Sequence, residues 1–286
     1  MLTLLLLLQT ALPAPGWVRL PRPLPEGLGE SSALVASIHR PGVLWTLNDG
    51  DNPTDLFAVD TTGALLGVVH VARVRNFDWE ALASGPCPAP RATSGPAPCL
   101  YIGDIGDNFR SRAFVTLYRV AEPEPGRDTV LAPIDSLRFV YPDSARDAES
   151  MVVAPNGDVW IVSKERIRAP RLYRIPASAW RSRRVVVARS YGSLPIPSAS
   201  GVEQWTTDAT WSADGKAMII RTYGALWRLP FIGGEPQPRN TTPLCSIVGL
   251  GPQGEGVAAL GGGLYGLTSE KLMGSSASIA LARCGE

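Results

Sequence analysis

Leu56-Phe57-Ala58-Val59, Leu117-Tyr118-Arg119-Val120, Leu172-Tyr173-Arg174-Ile175 and Leu226-Trp227-Arg228-Leu229 are four copies of one short apolar phrase. A second phrase, an apolar strand ending in polar residues, recurs with it. Its copies are Leu44-Trp45-Thr46-Leu47-Asn48, Leu100-Tyr101-Ile102-Gly103-Asp104, Val159-Trp160-Ile161-Val162-Ser163 and Leu264-Tyr265-Gly266-Leu267-Thr268, with a weaker one at Ala217-Met218-Ile219-Ile220-Arg221. The central residues Trp45, Tyr101, Trp160, Met218 and Tyr265 are 56, 59, 58 and 47 residues apart. A unit of this size built from short strands predicts the blade of a β-propeller, an all-β fold.

Each unit divides into four strands. Blade one runs from about Ser32 to Val71. Blade two starts at Asp78 and ends near Pro142, and blade three runs from Asp147 to about Ser190. Blade four starts at Thr207 and reaches the PFIGGEPQP segment, and blade five runs from Gln253 to Cys284. Blade five lacks a fourth strand of its own, and Trp17-Val18-Arg19-Leu20 is placed to supply it and close the ring, which removes unpaired sheet edges. Five blades are expected, or six if residues 176–206 hide a degenerate unit. The turns Pro155-Asn156-Gly157-Asp158, Asp60-Thr61-Thr62-Gly63 and Ala213-Asp214-Gly215 carry residues that tolerate positive φ. Trp45, Tyr101 and Trp160 read as inter-sheet core.

The chain has 286 residues, 45% hydrophobic and 19% charged, with net charge +1. This suits a soluble globular protein with a large core and gives no broad field for nucleic acid or anionic membranes. Arg181, Arg183 and Arg184 read as a solvated loop. The run Leu2 to Leu8 is too short to span a bilayer and resembles the core of a secretory signal, although no basic residue precedes it. Residues 1–14 are therefore expected to be a signal peptide, 15–286 the propeller, and the protein to be exported as a monomer without a membrane span.

Four cysteines fit export. Cys87 and Cys99 bracket the Pro/Gly/Ala loop PAPRATSGPAP, and Cys245 and Cys284 open and end the last repeat. Disulfides at both pairs would close loops and restrict the unfolded chain. Zinc is disfavoured because neither a C-x-x-C nor a His pair is present.

The starts of the inner strands carry acids: Asp78-Trp79-Glu80, Asp147-Ala148-Glu149, Thr207-Asp208-Ala209 and Gly254-Glu255-Gly256, matched in blade one by Glu30, Ser31 and Ser32. The ends of the second strands add Asn48, Asp49, Asp104, Asp107, Asn108, Lys164, Glu165, Arg221 and Glu270. Equivalent positions converge on the central channel. The expected ligand pocket is Asn48, Asp49, Asp78, Glu80, Asp147, Lys164, Asp208, Arg221 and Glu255. Two carboxylates ~5 Å apart repel by roughly 3 kcal/mol at an effective dielectric of 20. Several such pairs need a cation, buried Lys or Arg, or protonation; Lys164 and Arg221 would offset part of the repulsion, and a hard cation would take the rest. Calcium suits these oxygen ligands, with Asp104, Asp107, Glu80 and Glu149 as the expected metal set and Gly103-Asp104-Ile105-Gly106-Asp107-Asn108 as the local candidate. Lys164, Arg221 and Glu149 are the candidate catalytic residues. The competing reading is that these acids cap backbone amides of neighbouring blades.

Other chemistries fall away. Only His39 and His70 exist, and G-x-S-x-G is absent. Gly249, Gly251 and Gly254 match G-x-G-x-x-G, but Pro252 interrupts the motif and no helix follows.

The phrases LWTLNDGDNPTDLFAVD, DWEALA, LYIGDIGDN, DAESMVV, VSKE, IIRTY and QGEGVAA resemble those of exported bacterial propellers grouped as phytase-like or "esterase-like activity of phytase" proteins. The resemblance covers most of residues 32 to 270. It implies a polar central pocket of Asp49, Asp78, Glu80, Asp104, Asp107, Asp147, Glu149, Lys164, Arg221 and Glu255, with calcium. Blade four departs from it, offering Asp208 without a second acid, and blade five has Gln253 where blades two and three have Asp78 and Asp147. The expected function is a calcium-binding pocket for a small polar or phosphorylated ligand, or a binding or interaction module in which the pocket acids and any metal only rigidify the ring. The alternative is metal-assisted hydrolysis of phosphate esters.

Overall fold

The computed structural model describes residues 16–88, 98–126, 129–248, 253–272 and 274–285. The expected signal peptide lies outside the described residues.

Five antiparallel sheets surround a channel, each an up-and-down meander from an inner to an outer strand. Blade one is Ser31–Ala36, Val43–Asn48, Asp55–Asp60 and Leu65–Val71. Blade two is Trp79–Pro86, Pro98–Asp104, Val115–Ala121 and Asp135–Val140. Blade three is Ala148–Val153, Val159–Ser163, Arg171–Ile175 and Arg189–Ser193. Blade four is Thr206–Trp211, Ala217–Thr222, Ala225–Ile232 and Thr242–Ser246. Blade five is Gly254–Gly261, Leu264–Ser269 and Ser278–Arg283, completed by the N-terminal strand Gly16–Pro23. The ring thus closes through the N-terminal strand, as the sequence suggests.

The segment from 176 to 206 holds no sixth blade. It supplies a 3-10 turn at Ala177–Arg181, the edge strand Val186–Val187 that runs parallel to blade two's outer strand, and the outer strand of blade three. A second parallel addition, Thr129–Leu131, covers the outer edge of blade one. Both additions satisfy backbone groups that an open edge would expose.

Alternation along each strand feeds two different cores. Leu44 packs into the wedge between blades five and one, while its neighbour Trp45 packs between blades one and two. Leu100 and Tyr101 divide likewise between the wedges on either side of blade two, and Trp160 and Ile161 on either side of blade three. Because both faces of every sheet are covered, the strands read as near-continuous apolar runs. Each fully buried large side chain contributes about 1.5–3 kcal/mol.

Blade four ends later than the sequence suggests. The PFIGGEPQP segment forms a small hairpin, and the outer strand follows at Thr242–Ser246. Cys245 therefore lies in blade four, and its disulfide to Cys284 joins blade four to blade five instead of stapling the terminal blade to itself. Cys87 and Cys99 are bonded within blade two; residues 89–97 of the loop they close lie outside the described residues.

Candidate functional site

All five inner strands carry one extra residue near their start. Pairing slips between Ser31 and Ala33, Trp79 and Ala81, Ala148 and Ser150, Thr206 and Asp208, and Gly254 and Val257. Such a bulge re-aims a side chain out of the ladder. Here the re-aimed positions are Ser32, Glu80, Glu149, Thr207 and Glu255. They meet across blades: Ser32 Oγ donates to Glu80 Oε2, and Thr207 Oγ1 donates to the Glu255 carbonyl at 2.9 Å.

The second strands supply another set. Asn48, Asp104, Ser163, Thr222 and Ser269 pair with the inner strand just before the bulge. The next residues, Asp49, Ile105, Lys164, Tyr223 and Glu270, sit at the same end of the ring. A relay crosses it: Lys164 Nζ donates to Glu149 Oε1 and lies 3.2 Å from Tyr223 Oη, which donates to Glu255 Oε1 at 3.1 Å.

Asp49, Asp78 and Glu80 each offer an oxygen within 4.8 Å of the other two. Two glycines make this possible. A Cβ at Gly106 would overlap the Asp78 carboxyl and reach 2.8 Å from Glu80 Cγ, and one at Gly50 would lie 2.9 Å from Asp78 Oδ1. Calcium–oxygen distances of about 2.3–2.6 Å let oxygens this far apart share one ion. The donor set fits a hard divalent cation.

Burial dominates the electrostatics. It pushes Asp78 up to about 7, with Asp49 and Asp147 adding to the shift. Asp49 is raised by burial against the lowering effect of the Gly50 amide. Glu80 is raised well above the usual carboxylate range by burial, then by Glu149 and Asp49. Glu270 is pushed up to about 9 by burial and the nearby Glu255. Glu149 and Glu255 are also raised by burial, although Lys164 pulls both down. Burial opposes the charge on Lys164, but Glu149 and Glu255 outweigh it and hold its pKa well above the lysine value. Clustered and buried in this way, the carboxyls oppose one another's ionisation, and Lys164 offsets part of that opposition.

Several expected site residues are engaged elsewhere. Asp104 is paired with Arg112 at 2.7 Å and accepts the Asp78 amide at 3.2 Å. Asp107 accepts the amides of Ser111 and Arg112, both at 2.9 Å, and so shapes its own loop. The carbonyl of Gly106 accepts Arg112 Nη1 at 2.8 Å. Asp147 accepts the Asp107 amide at 3.0 Å. Asn48 braces the entry to blade one, donating to the Gly27 carbonyl and accepting the Glu30 amide.

Asp208 is not the blade-four equivalent of Glu80 and Glu149, because the bulge falls one residue earlier, at Thr207. Its buried carboxylate instead accepts the amides of Leu34 in blade one, Val257 in blade five and Ala209 beside it, at 3.1, 2.7 and 2.8 Å. Arg221 is fully buried, and its Nη1 donates to the carbonyls of Gly256 and Thr268. Burial lowers its pKa to about 10, which leaves it charged at neutral pH. Tyr223 is the site residue that the acid pattern does not show. Its signal is positional, since it follows the second strand of blade four as Lys164 follows that of blade three.

No protein-family model and no curated protein matches this chain. Solved structures do. The PQQ-bound aldose sugar dehydrogenase of Streptomyces coelicolor aligns at a TM-score of 0.52 and 12% identity, over 96% of this chain and 100% of that one. A gluconolactonase of Xanthomonas campestris aligns at 0.47 and 11%, over 95% of this chain and 86% of that one. At such identities the likeness is one of fold: this chain is a β-propeller.

Proposed function

We propose that the protein is an exported binding module whose channel mouth holds calcium at Asp49, Asp78 and Glu80 and takes a small polar ligand beside it. The observation that carries this reading is the convergence of three carboxylate oxygens within 4.8 Å, in a space that Gly50 and Gly106 keep open. Asp49 and Asp78 are half-buried, which gives an ion and a ligand a way in. Unfolding in EDTA and then in calcium tests it. The midpoint is expected to rise with calcium, because an ion that binds only the folded state stabilises it by mass action. In Asp78→Asn the rise should shrink by more than half. An unchanged midpoint in wild type would leave the acids as caps of the ring.

Phosphate-ester hydrolysis, in the manner of phytase-like propellers, is the second reading. A bound calcium would act there as a Lewis acid on a phosphoryl oxygen. Lys164 supports this reading by its position among the pocket carboxylates. Against it, Lys164 is held by Glu149 and Arg221 by two backbone carbonyls, so neither cation is left to neutralise a developing charge. Turnover of p-nitrophenyl phosphate by the calcium-loaded protein, lost in Lys164→Met, would favour it.

A further inference from the structure

The inner strands start at the acidic mouth and end at the opposite face of the ring. Four residues beyond the re-aimed Ser32, Glu80, Glu149, Thr207 and Glu255 stand Ala36, Ser84, Val153, Trp211 and Ala259. All five line one cavity of about 600 Å³. Ala36, Ser84, Trp211 and Ala259 are half-buried, so the space is open to solvent. Two residues before Ala36, Val153 and Ala259, the residues Leu34, Met151 and Val257 are completely buried. This closes the channel at mid-height and gives the cavity a floor. Protein interiors hold few voids larger than a water molecule. Here alanine and serine stand where larger side chains would fill the space.

The chemistry of the lining differs from that of the acidic mouth. Among the described residues no Asp, Glu, Lys or Arg lines the cavity, and His39 is its one ionisable side chain. Polar groups in the wall are spent on the protein itself. Trp211 Nε1 donates to the Val153 carbonyl at 2.7 Å, Ser84 Oγ to the Ala36 carbonyl at 3.3 Å, and Ser212 Oγ to Asp214 at 2.6 Å. The first of these bonds, with an edge contact to the Phe231 ring at 4.8 Å between centroids, holds the Trp211 indole against the wall. A charged group entering here would shed water without gaining a partner, and a sugar would leave most of its hydroxyls unmatched. An apolar body has no such cost and removes wall surface from water. Apolar clefts of this size with few polar groups are those that enclose a small organic ligand.

We infer that this cavity binds a small, neutral, apolar molecule, a compact ring system that packs against the Trp211 indole and the short side chains of Ala36 and Ala259. Ile38, 57% exposed at the edge, adds apolar surface for it to cover. The site lies across the floor from Asp49, Asp78 and Glu80, and it depends neither on calcium nor on a polar ligand there.

Fluorescence titration of the full chain with N-phenyl-1-naphthylamine, an uncharged dye that brightens in apolar surroundings, tests it. Saturation at one dye per chain is expected, equally in EDTA and in calcium, with displacement by progesterone and none by laurate. Ala259→Phe and Ala36→Leu fill the cavity from two different blades. Each should weaken the dye at least tenfold, with the thermal midpoint showing that the variant is folded; if one fails to fold, the other carries the test. Displacement by laurate as readily as by progesterone would overturn the neutral assignment. Dye affinity that changes with calcium would place the dye at the acidic mouth and overturn the site. So would unchanged affinity in a folded variant, or no saturable binding. Capture on phosphatidylcholine vesicles, or sedimentation as a dimer, in the absence of dye binding would give the cavity to a lipid surface or to a second copy and overturn the inference.

Discussion

A methyl group added at Gly106 would overlap the Asp78 carboxyl and come 2.8 Å from Glu80 Cγ. Neither acid can retreat far. Glu80 is fully buried and hydrogen-bonded to Ser32, and Asp78 is backed by Gly50. Gly106→Ala should therefore push the carboxylates apart. Calcium affinity is expected to fall at least tenfold, with a stability loss of about 1–3 kcal/mol from overpacking; calcium titration and urea unfolding read the two effects separately. The acids at this scale are legible in the sequence where chemistry repeats, as in Asp78-x-Glu80 and Asp147-x-Glu149. Tyr223 is not, because the position that is Asp49 in blade one and Lys164 in blade three changes its side chain in every blade.

Asp208 works at the scale of the strand. Its carboxylate ties the inner strand of blade four to those of blades one and five by accepting the Leu34 and Val257 amides. Burial raises its pKa well above the usual range, opposed by those amides and by Arg221. Asp208→Ala would leave these buried donors unmatched, each at about 1–3 kcal/mol. A loss of about 2–5 kcal/mol in urea unfolding is expected, with calcium response retained in the folded fraction. A loss below 1 kcal/mol would show that water or relaxation satisfies the amides. The sequence marks Asp208 as an acid at an inner-strand start. It does not mark the bulge, and a one-residue difference in register exchanges the faces of a strand.

The ring as a whole links stability to pH and to its closure. Burial and neighbouring acids push Asp78 up to about 7 and Glu270 up to about 9, whereas in the unfolded chain both titrate near 4. Between these values the folded state binds more protons than the unfolded state, so stability falls as pH rises. The midpoint in EDTA should drop from pH 5 to pH 8, and saturating calcium should flatten the decline by replacing protons at Asp78. A flat profile in EDTA would mean that the carboxyls are not desolvated. Closure rests on the N-terminal strand and on the Cys245–Cys284 bond between blades four and five. Replacing both cysteines by serine should cost about 2–4 kcal/mol, read as a lower unfolding midpoint under non-reducing conditions.

The repeat, a ring of five units or six, and a candidate closing strand are legible in the sequence, because a buried sheet needs an apolar run at every strand and the runs recur at blade spacing; the fold of residues 176–206 settles the number at five. The sequence also marked both cysteine pairs and the end of the ring where acids gather. Which acids face one another is set by the packing of the blades. That choice depends on a bulge of one residue in each inner strand and on glycines that admit a neighbouring blade's carboxylate. Both are properties of chains brought together from distant parts of the sequence, and local pattern carries no record of them.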